Sequence, residues 1–368
     1  MRRVMVVAWI ALFASVIGYG TLGQTLCDFR MPVSGIEDAD MSFAYRYIDD
    51  ATTPGTDESA GRFSASYSEI FDSPTFGHSA SLSTDIALAN FVPTVWRGNS
   101  AASYRYYVSR ELPLFVYGGA LGTADTALPE PGLELRGGVG YGRFRDVTPL
   151  AQAIRIFARL VELGAIPESL DEAALQAVAA VIGQRDDFPS SSELVSAIEA
   201  EIESATRVEL DALALLMIED EIENPGDQRF CGLIVQGGVG QELLDAHGGS
   251  FDVRYVMSAD AAYPPTPLNQ LRLRASLSSS LDVFADHTLL VEVSYDASLL
   301  KAASVESRFT MYDVRAPGFP DLTTYTAGAF LSVGTGRSSI IAGVLISHVV
   351  GDPGWTVDLS ISTAIDLL

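Results

Sequence analysis

Along most of the chain, apolar residues fall on every second position. In Ser42-Phe43-Ala44-Tyr45-Arg46-Tyr47 one parity is aromatic and the other small or charged, the signature of a strand with one apolar and one wet face. The same rule recurs. Phe63, Ala65 and Tyr67 alternate with Arg62, Ser64 and Ser66, and Tyr104, Tyr106 and Val108 alternate with Ser103, Arg105 and Tyr107. Leu133, Leu135, Val139 and Tyr141 oppose Glu134, Arg136, Gly138 and Gly140; Phe251, Val253, Tyr255 and Met257 oppose Asp252, Arg254, Val256 and Ser258. Further on, Leu271, Leu273 and Leu277 face away from Arg272, Arg274, Ser276 and Ser278. Val291, Val293 and Tyr295 oppose Glu292, Ser294 and Asp296, and Phe309 and Met311 oppose Glu306, Arg308 and Thr310. The last set is the cleanest: Trp355, Val357, Leu359, Ile361 and Ile365 against Asp358, Ser360, Ser362 and Asp366.

One stretch breaks the alternation. Between Asp146 and Asp227 the apolar residues recur at three- and four-residue spacing: Leu150, Ile154, Phe157, Leu160 and Val161, then Leu175, Val178 and Ile182, then Leu194, Ile198 and Ile202, then Leu213, Leu216 and Ile222. Thr148-Pro149 reads as a capping hydroxyl before a helix-start proline, and Gly164 sits where a C-cap belongs. Ser169-Leu170-Asp171-Glu172 and Ser190-Ser191-Ser192-Glu193 read as capping boxes, and Pro225-Gly226 closes the run. Three or four helices are therefore expected inside a protein otherwise built from strands.

Two architectures produce such strands. A soluble sandwich hides the apolar parity, whereas a membrane barrel turns it outward to lipid and keeps the polar parity inside. Three features favour the barrel. The expected strands run to about 10–14 residues, beyond the ~5–6 usual in globular sheets. Aromatics gather toward strand ends, as at Tyr45, Tyr47, Tyr104, Tyr106, Tyr141 and Trp355. The wet parity is rich in Arg, Asp, Glu and Ser. We expect six strands before the helices, near 40–49, 60–71, 77–90, 101–110, 112–121 and 132–143, and eight after them, near 230–241, 249–262, 269–281, 288–298, 303–314, 322–333, 338–349 and 354–367. The expected fold is an all-β antiparallel membrane barrel of about 14 strands, range 12–16, with an α-helical insert between strands 6 and 7. Six crossings return the chain to the side on which it began, so the insert hangs on the inner, periplasmic side. Tyr263-Pro264-Pro265 and Gly334-Thr335-Gly336 are expected as tight inner turns and Gly351-Asp352-Pro353-Gly354 as a loop.

The N-terminus fits this picture. Arg2-Arg3 precedes a short apolar run, Val4 to Ile17, and small residues around Gly20 and Gly23, the pattern of a cleaved export signal over residues 1–23. An uncleaved anchor helix is the alternative, although the run falls short of the ~20 residues that span a bilayer. No later stretch is long and apolar enough for a spanning helix. The expected organisation is thus signal 1–23, first half-barrel 24–145, acidic helical insert 146–227 and second half-barrel 228–368.

Charge and cysteines narrow the partners. The 368-residue chain is 48% apolar, 19% charged and carries a net charge of −24, with no basic face for a phosphate backbone, so no nucleic-acid partner is expected. Residues 146–227 hold 18 Asp and Glu against 4 Arg, more than half of the whole deficit. Cys27 and Cys231 are either a disulfide tying the mature N-terminus to the strand after the insert or two unrelated thiols.

In its alternating strands, aromatic strand ends, export signal and final amphipathic strand, the chain resembles bacterial outer-membrane β-barrel proteins. Gly138-Val139-Gly140-Tyr141-Gly142-Arg143, followed by Asp146-Val147-Thr148-Pro149-Leu150 and a helix, is similar to exported barrels that carry a periplasmic helical insert after such a strand. The resemblance implies the lipid bilayer and the outer-membrane assembly machinery as partners, but no activity. One departure is Leu368, where the assembly signal of such proteins usually ends in an aromatic residue.

The histidines, His78, His247, His287 and His348, sit in no recognisable motif, and Gly-x-Ser-x-Gly, His-Glu-x-x-His and zinc-type Cys/His spacings are absent from the sequence. The acidic run Glu219-Asp220-Glu221 has no calcium-loop geometry and reads as a solvated helix face. No catalytic, cofactor-binding or metal residue is expected. Gly137-Gly138-Val139-Gly140-Tyr141-Gly142 and Gly237-Gly238-Val239-Gly240 lack the strand–turn–helix context of a dinucleotide loop and suit close backbone approach. The residues expected to face the lumen are Arg46, Arg62, Arg105, Glu134, Arg136, Asp252, Arg254, Arg272, Arg274, Glu292, Glu306, Arg308, Asp358 and Asp366. The leading expectation is a passive pore for small solutes with mixed lumenal charge, capped or plugged by the acidic insert. The rivals are a non-conducting anchor whose helices bind a periplasmic partner, and an outer-leaflet enzyme.

Overall fold

The structure is a computed structural model and describes residues 26–29, 33–48, 58–109, 112–167, 171–246, 253–280, 286–300, 302–316, 318, 320–334 and 338–366. The expected signal segment, His247 and Asp252 lie outside the described residues. The chain divides into two compact units, one mostly β and one mostly helical.

The β unit is built from antiparallel strands β1 (Ser34–Ile48), β2 (Glu58–Asp72), β3 (Phe76–Ala89), β4 (Val92–Tyr107), β5 (Leu114–Asp125), β6 (Gly132–Asp146), β7 (Phe230–Leu244), β8 (Val253–Thr266), β9 (Asn269–Ser279), β10 (His287–Leu300), β11 (Ala303–Arg315), β12 (Leu322–Gly334), β13 (Ser338–Val349) and β14 (Thr356–Asp366). Each strand pairs with its sequence neighbours, and β1 pairs with β14, so the sheet closes into a barrel. With 11 to 16 residues per strand, the elements are two to three times the usual globular length. We call the rim where β1 begins and β14 ends the near rim, and the opposite one the far rim. The near-rim turns are short, such as Ser73–Thr75 and Pro267–Leu268, and the helices occupy the β6–β7 connection, which is also on that rim.

Strand bounds depart from the periodicity at instructive places. β4 starts at Val92 rather than near residue 101, because the ladder with β3 steps from Ala87↔Val95 to Leu88↔Pro93 and this bulge absorbs the proline. β8 runs through Tyr263-Pro264-Pro265, expected as a turn, and reverses only at Pro267–Leu268.

The glycines of β6 and β7 meet. A Cβ on Gly138 would lie 2.2 Å from the Gly237 carbonyl oxygen, and one on Gly238 would lie 2.1 Å from that of Gly137. On Gly142, whose φ is +115°, it would lie 1.8 Å from the Leu233 oxygen. Only hydrogen fits there, so the sheet makes a sharp corner between the strands that flank the insert.

The helical unit contains α1 (Thr148–Glu162), α2 (Glu172–Ile182), α3 (Ser191–Thr206) and α4 (Ala212–Glu223), a 3-10 turn at Leu26–Asp28, and the β8–β9 turn. Its core is one apolar cluster in which Val147, Ile156, Leu160, Val178, Ile198, Ile202 and Ile218 are completely or almost completely buried, with Leu26 and Phe29 packed among them. Cys27 and Cys231 form a disulfide, anchoring that N-terminal turn beside the start of β7. The Gly164 stop is a Schellman turn with φ +70°: the Gly164 amide bonds the Val161 oxygen and the Ala165 amide bonds the Leu160 oxygen, both at 2.9 Å. The Ser190 hydroxyl accepts from the Glu193 amide at 3.3 Å.

Three local expectations are corrected. The N-cap of α1 is Val147, and the Thr148 hydroxyl instead accepts from the Arg229 amide at 2.8 Å. The N-cap of α2 is Asp171, whose carboxylate accepts from Ala173; the Ser169 and Leu170 of the expected box lie outside the described residues. On α4 the buried face is Ala214, Ile218 and Ile222, which leaves Leu213 and Leu216 exposed, because the helix meets its neighbours half a turn from its most leucine-rich stripe.

Two arginines are spent inside this unit. Arg155 pairs with the buried Glu221 at 2.5 Å and donates to the carbonyls of Pro225 and Pro267. Arg229, 1% exposed, donates to the carbonyls of Pro267 at 3.3 Å and Leu268 at 2.8 Å. Together they grip the tip of the β8–β9 turn.

Two predictions follow from this packing. Gly138→Val should abolish the folded, heat-modifiable form on electrophoresis, since overpacking a site with no room costs about 1–3 kcal/mol or more. Gly354→Ala, where a Cβ meets nothing within 4 Å, should leave it intact. Glu221→Gln leaves Arg155 with an uncompensated charge and should weaken hydrogen-exchange protection of α1 and α4 by about 3 kcal/mol, the scale for breaking a buried pair; unchanged protection would show that the pair adds nothing.

Candidate functional site, the barrel interior

On each strand one parity is exposed and apolar, and the other carries the polar and buried side chains. On β4, Tyr104 and Tyr106 are exposed while Arg105 and Tyr107 are buried; on β8, Tyr255 and Met257 are exposed while Val256 is buried; on β14, Leu359 and Ile361 are more than three-quarters exposed. In a closed sheet the buried parity is the interior one.

The interior has two contrasting halves. Toward the near rim of β4–β7 it is filled: Tyr107, Phe115, Tyr117 and Ile234 form a buried cluster with Phe144 against it. Phe115 meets Tyr107 edge-on at 5.7 Å and Tyr117 at 6.4 Å, each a favourable quadrupole geometry. The Arg143 guanidinium lies 3.8 Å from the Tyr107 ring centre and donates to the carbonyls of Ser73 and Pro74. Arg105 lies 6.0 Å from the Phe115 ring centre. The glycine corner is what lets these rings come together, since a Cβ on Gly140 would lie 2.3 Å from Phe115.

Along β1–β4, and toward the far rim of β4–β7, the interior is open. A cavity of about 340 Å³ is lined by Asp40, Ser42, Arg62, Ser64, Asp85 and Arg97, among others. A second, of about 330 Å³, shares Arg97 and continues past Thr123, Asp125 and Glu134 to Glu242 and Asp245. Charges in this half are paired across strands. Arg62 holds Asp85 through Nε at 2.8 and 3.0 Å and Nη2 at 2.5 Å, and Arg97 holds Asp125 at 2.7 Å. Farther round, Glu134 binds Arg136 at 2.7 Å, Arg254 reaches Asp286 at 3.2 Å, and Asp260 lies between Arg272 at 3.8 Å and Arg274 at 3.7 Å. Arg274 also approaches Glu292 at 3.9 Å, and Arg308 binds Glu306 at 2.6 Å.

Of the residues expected at the lumen, Arg62, Arg105, Glu134, Arg136, Arg254, Arg272, Arg274, Glu292, Glu306, Arg308 and Asp358 share the interior parity. The side chains of Arg46 and Asp366 are outside the described residues. Sequence reasoning missed Arg97, Asp85, Asp125 and Asp260, and the aromatic cluster. Registers bring the first three together: Asp85 opposes Arg97 and Arg97 opposes Asp125 on successive strands.

Histidines take carboxylate or carbonyl partners on the outer parity. His78 meets Glu69 at 3.0 Å, His287 meets Asp313 at 2.9 Å, and His348 stacks on Trp355 at 4.7 Å while facing the Gly354 oxygen at 2.9 Å. Rings form belts at both ends of this outer face. His78, Phe71, Phe76 and Tyr104 stack in succession near one rim, while Trp96, Tyr325 and Trp355 lie toward the other. Ten residues separate Trp96 from Tyr106 on β4, which at ~3.3 Å per residue and a tilt of about 40° spans roughly 25 Å, the height of an outer-membrane apolar band. Among the described residues no helix is long and apolar enough to cross a membrane.

No family model and no curated protein matches the sequence. Among solved structures, the CymD monoaromatic hydrocarbon channel is similar over 93% of this chain and 90% of its own, at 9% identity and a TM-score of 0.32. OccD3 (OpdP) of Pseudomonas aeruginosa is similar over 94% and 95%, at 8% identity and 0.34, and OprB of Pseudomonas putida over 91% and 93%, at 7% identity and 0.32. At these scores the backbones do not superpose closely, and the barrel assignment rests on this chain's own strand registers.

Proposed function

We propose that the protein is an outer-membrane barrel that acts as a passive pore for small polar solutes, with the helical unit as a periplasmic cap. The observation that carries this reading is the split of the closed sheet into an exposed apolar band between aromatic belts and a polar, ion-paired interior with open space along β1–β4. A band of this height suits hydrocarbon, and paired interior charges give a mixed field with weak ionic selectivity. Short near-rim turns against mostly longer far-rim connections suit a periplasmic near rim.

A second reading has its own observation. Leu213 and Leu216 stand exposed on α4 in an otherwise acidic helical unit, a surface through which a non-conducting barrel would anchor a periplasmic protein.

Planar-bilayer recording separates the two. The pore reading expects discrete conductance steps with small reversal potentials in a salt gradient; an anchor passes no current. Removing 149–225 should raise the single-channel current if the helices obstruct the interior, and equal currents would reduce them to a cap beside an already open path.

A further inference from the structure

Between β2 and β5 the strand registers lay the interior side chains out in rows that run around the wall. One row is ionic: Ser64 opposes Asp85, Asp85 opposes Arg97 and Arg97 opposes Asp125. The next row toward the near rim carries no charge on these four strands. In it Ser66 opposes Ser83, Ser83 opposes Asn99 and Asn99 opposes Thr123, with Asp40 of β1 beyond its end. Both rows line the two interior cavities, which share Arg97 and Asn99 and adjoin there. All four side chains of the neutral row are exposed. Among the described residues none of them hydrogen-bonds another protein group, whereas Ser64 reaches Asp85 at 3.4 Å and, nearer the near rim, Ser79 and Ser103 bond each other at 2.8 Å.

The ionic row limits what the neutral row can hold. Arg62 spends Nε and Nη2 on Asp85. Arg97 spends only Nε, on Asp125, so the rest of its five N–H donors stay uncommitted on a side chain that is 60% exposed. A carboxylate drawn to that edge would sit beside Asp40 and Asp85, and taking Arg97 away would strand Asp125, whose side chain is 9% exposed. An ammonium would have to compete with Arg62 and Arg97 for carboxylates they already hold. A hydroxyl both donates and accepts, so it matches serine, threonine and amide groups and the open guanidinium edge without disturbing either pair. Cross-strand neighbours stand ~4.8 Å apart and successive interior positions ~6.7 Å, a grid on which a ring bearing several hydroxyls touches both rows at once. The cavities, about 340 and 330 Å³, are of small-ligand size.

We infer that the β2–β5 interior is a binding station for an uncharged polyhydroxylated solute, a sugar or related polyol, seated on Ser66, Ser83, Asn99 and Thr123 with further hydroxyls at the open edge of Arg97. Its service as a step in passage rests on the pore reading; the binding itself does not.

The test uses the full-length protein in dodecylphosphocholine micelles, which carry no sugar, with the folded state of every variant checked by heat-modifiable migration. Saturation-transfer NMR follows glucose, with gluconate and glucosamine as its charged counterparts. Glucose should give a saturable signal whose half-saturation lies at least fivefold below that of either counterpart. In Ser66→Ala/Ser83→Ala/Thr123→Val, which removes three hydroxyls at nearly constant volume, half-saturation for glucose should rise at least fivefold. Ser66→Ala and Ser83→Ala made singly, each expected to cost at least twofold, serve if the triple variant does not fold. Ser360→Ala/Ser362→Ala, on the interior parity of β14, should stay within twofold of the unaltered protein. The station is overturned by the lack of a saturable glucose signal, by no change in the β2–β5 variants, or by an equal rise in the β14 variant. Gluconate or glucosamine binding as tightly as glucose, and weakened by the same triple variant, would make the row an ion site and overturn it too. Conductance is recorded separately in planar bilayers: current without glucose binding removes the station and leaves the pore, and glucose binding at the row without current removes the pore and leaves the station.

Discussion

The backbone hydrogen-bond ladder, and the need to close it without help from water, is the constraint on which this architecture depends. Strands of 11 to 16 residues that bare one apolar face can be stable in hydrocarbon only if both edges of each strand find a partner. Closure of β1 on β14, through Asp40↔Asp366, Met41↔Ile365 and Ser42↔Ala364, gives the first and last strands each other as partners. Everything else about the barrel, from its polar interior to its aromatic belts, is a consequence of which face the closed sheet turns outward.

The interior is shaped by a second, smaller constraint, the room available for side chains at the β6–β7 corner. Glycine on both strands lets their backbones approach more closely than any residue with a Cβ permits. The sharpened corner brings Phe115 over Gly140 and draws Tyr107, Tyr117 and Ile234 into one cluster. The near-rim part of that side therefore fills with rings, and the free volume lies along β1–β4 and toward the far rim of β4–β7. Paired charges follow the free volume, since an unpaired ion would be tolerated only where water or a partner reaches it.

Much of this was legible in the sequence, for a physical reason. A strand with different solvents on its two faces must alternate, so parity alone separated Arg62, Arg136, Arg254 and Arg308 from Phe63, Leu135, Tyr255 and Phe309 without knowledge of any contact. The glycine runs likewise announced close approach, because no helix opened beside them. What could not be read was anything set by register between strands. Asp85, Arg97 and Asp125 are far apart in sequence and become a ladder only when three strands are aligned, and the bulge at Pro93 shifts that alignment. The exposure of Leu213 and Leu216 was hidden for a related reason: helical periodicity gives an apolar stripe but not which side of it meets the neighbouring helices.

An insertion of some eighty residues between two strands that must stay paired might be expected to pull them apart, and the local geometry explains why it does not. The Val147 amide donates to the Arg229 carbonyl and the Arg229 amide to the Thr148 hydroxyl, both at 2.8 Å, so the chain enters and leaves the helical unit side by side. Gln270 extends this neck, accepting from the Phe230 amide at 2.9 Å and donating to its carbonyl at 3.3 Å, while Arg229 holds the adjoining turn through the carbonyls of Pro267 and Leu268. The Cys27–Cys231 bond adds the N-terminal turn to the same point. From the strands' side such a neck is equivalent to a tight turn, and the loop-closure cost of a long connection grows only logarithmically once its ends are fixed. The helices can therefore carry their own core and a strongly acidic surface without disturbing the register of β6 and β7, on which the glycine corner depends.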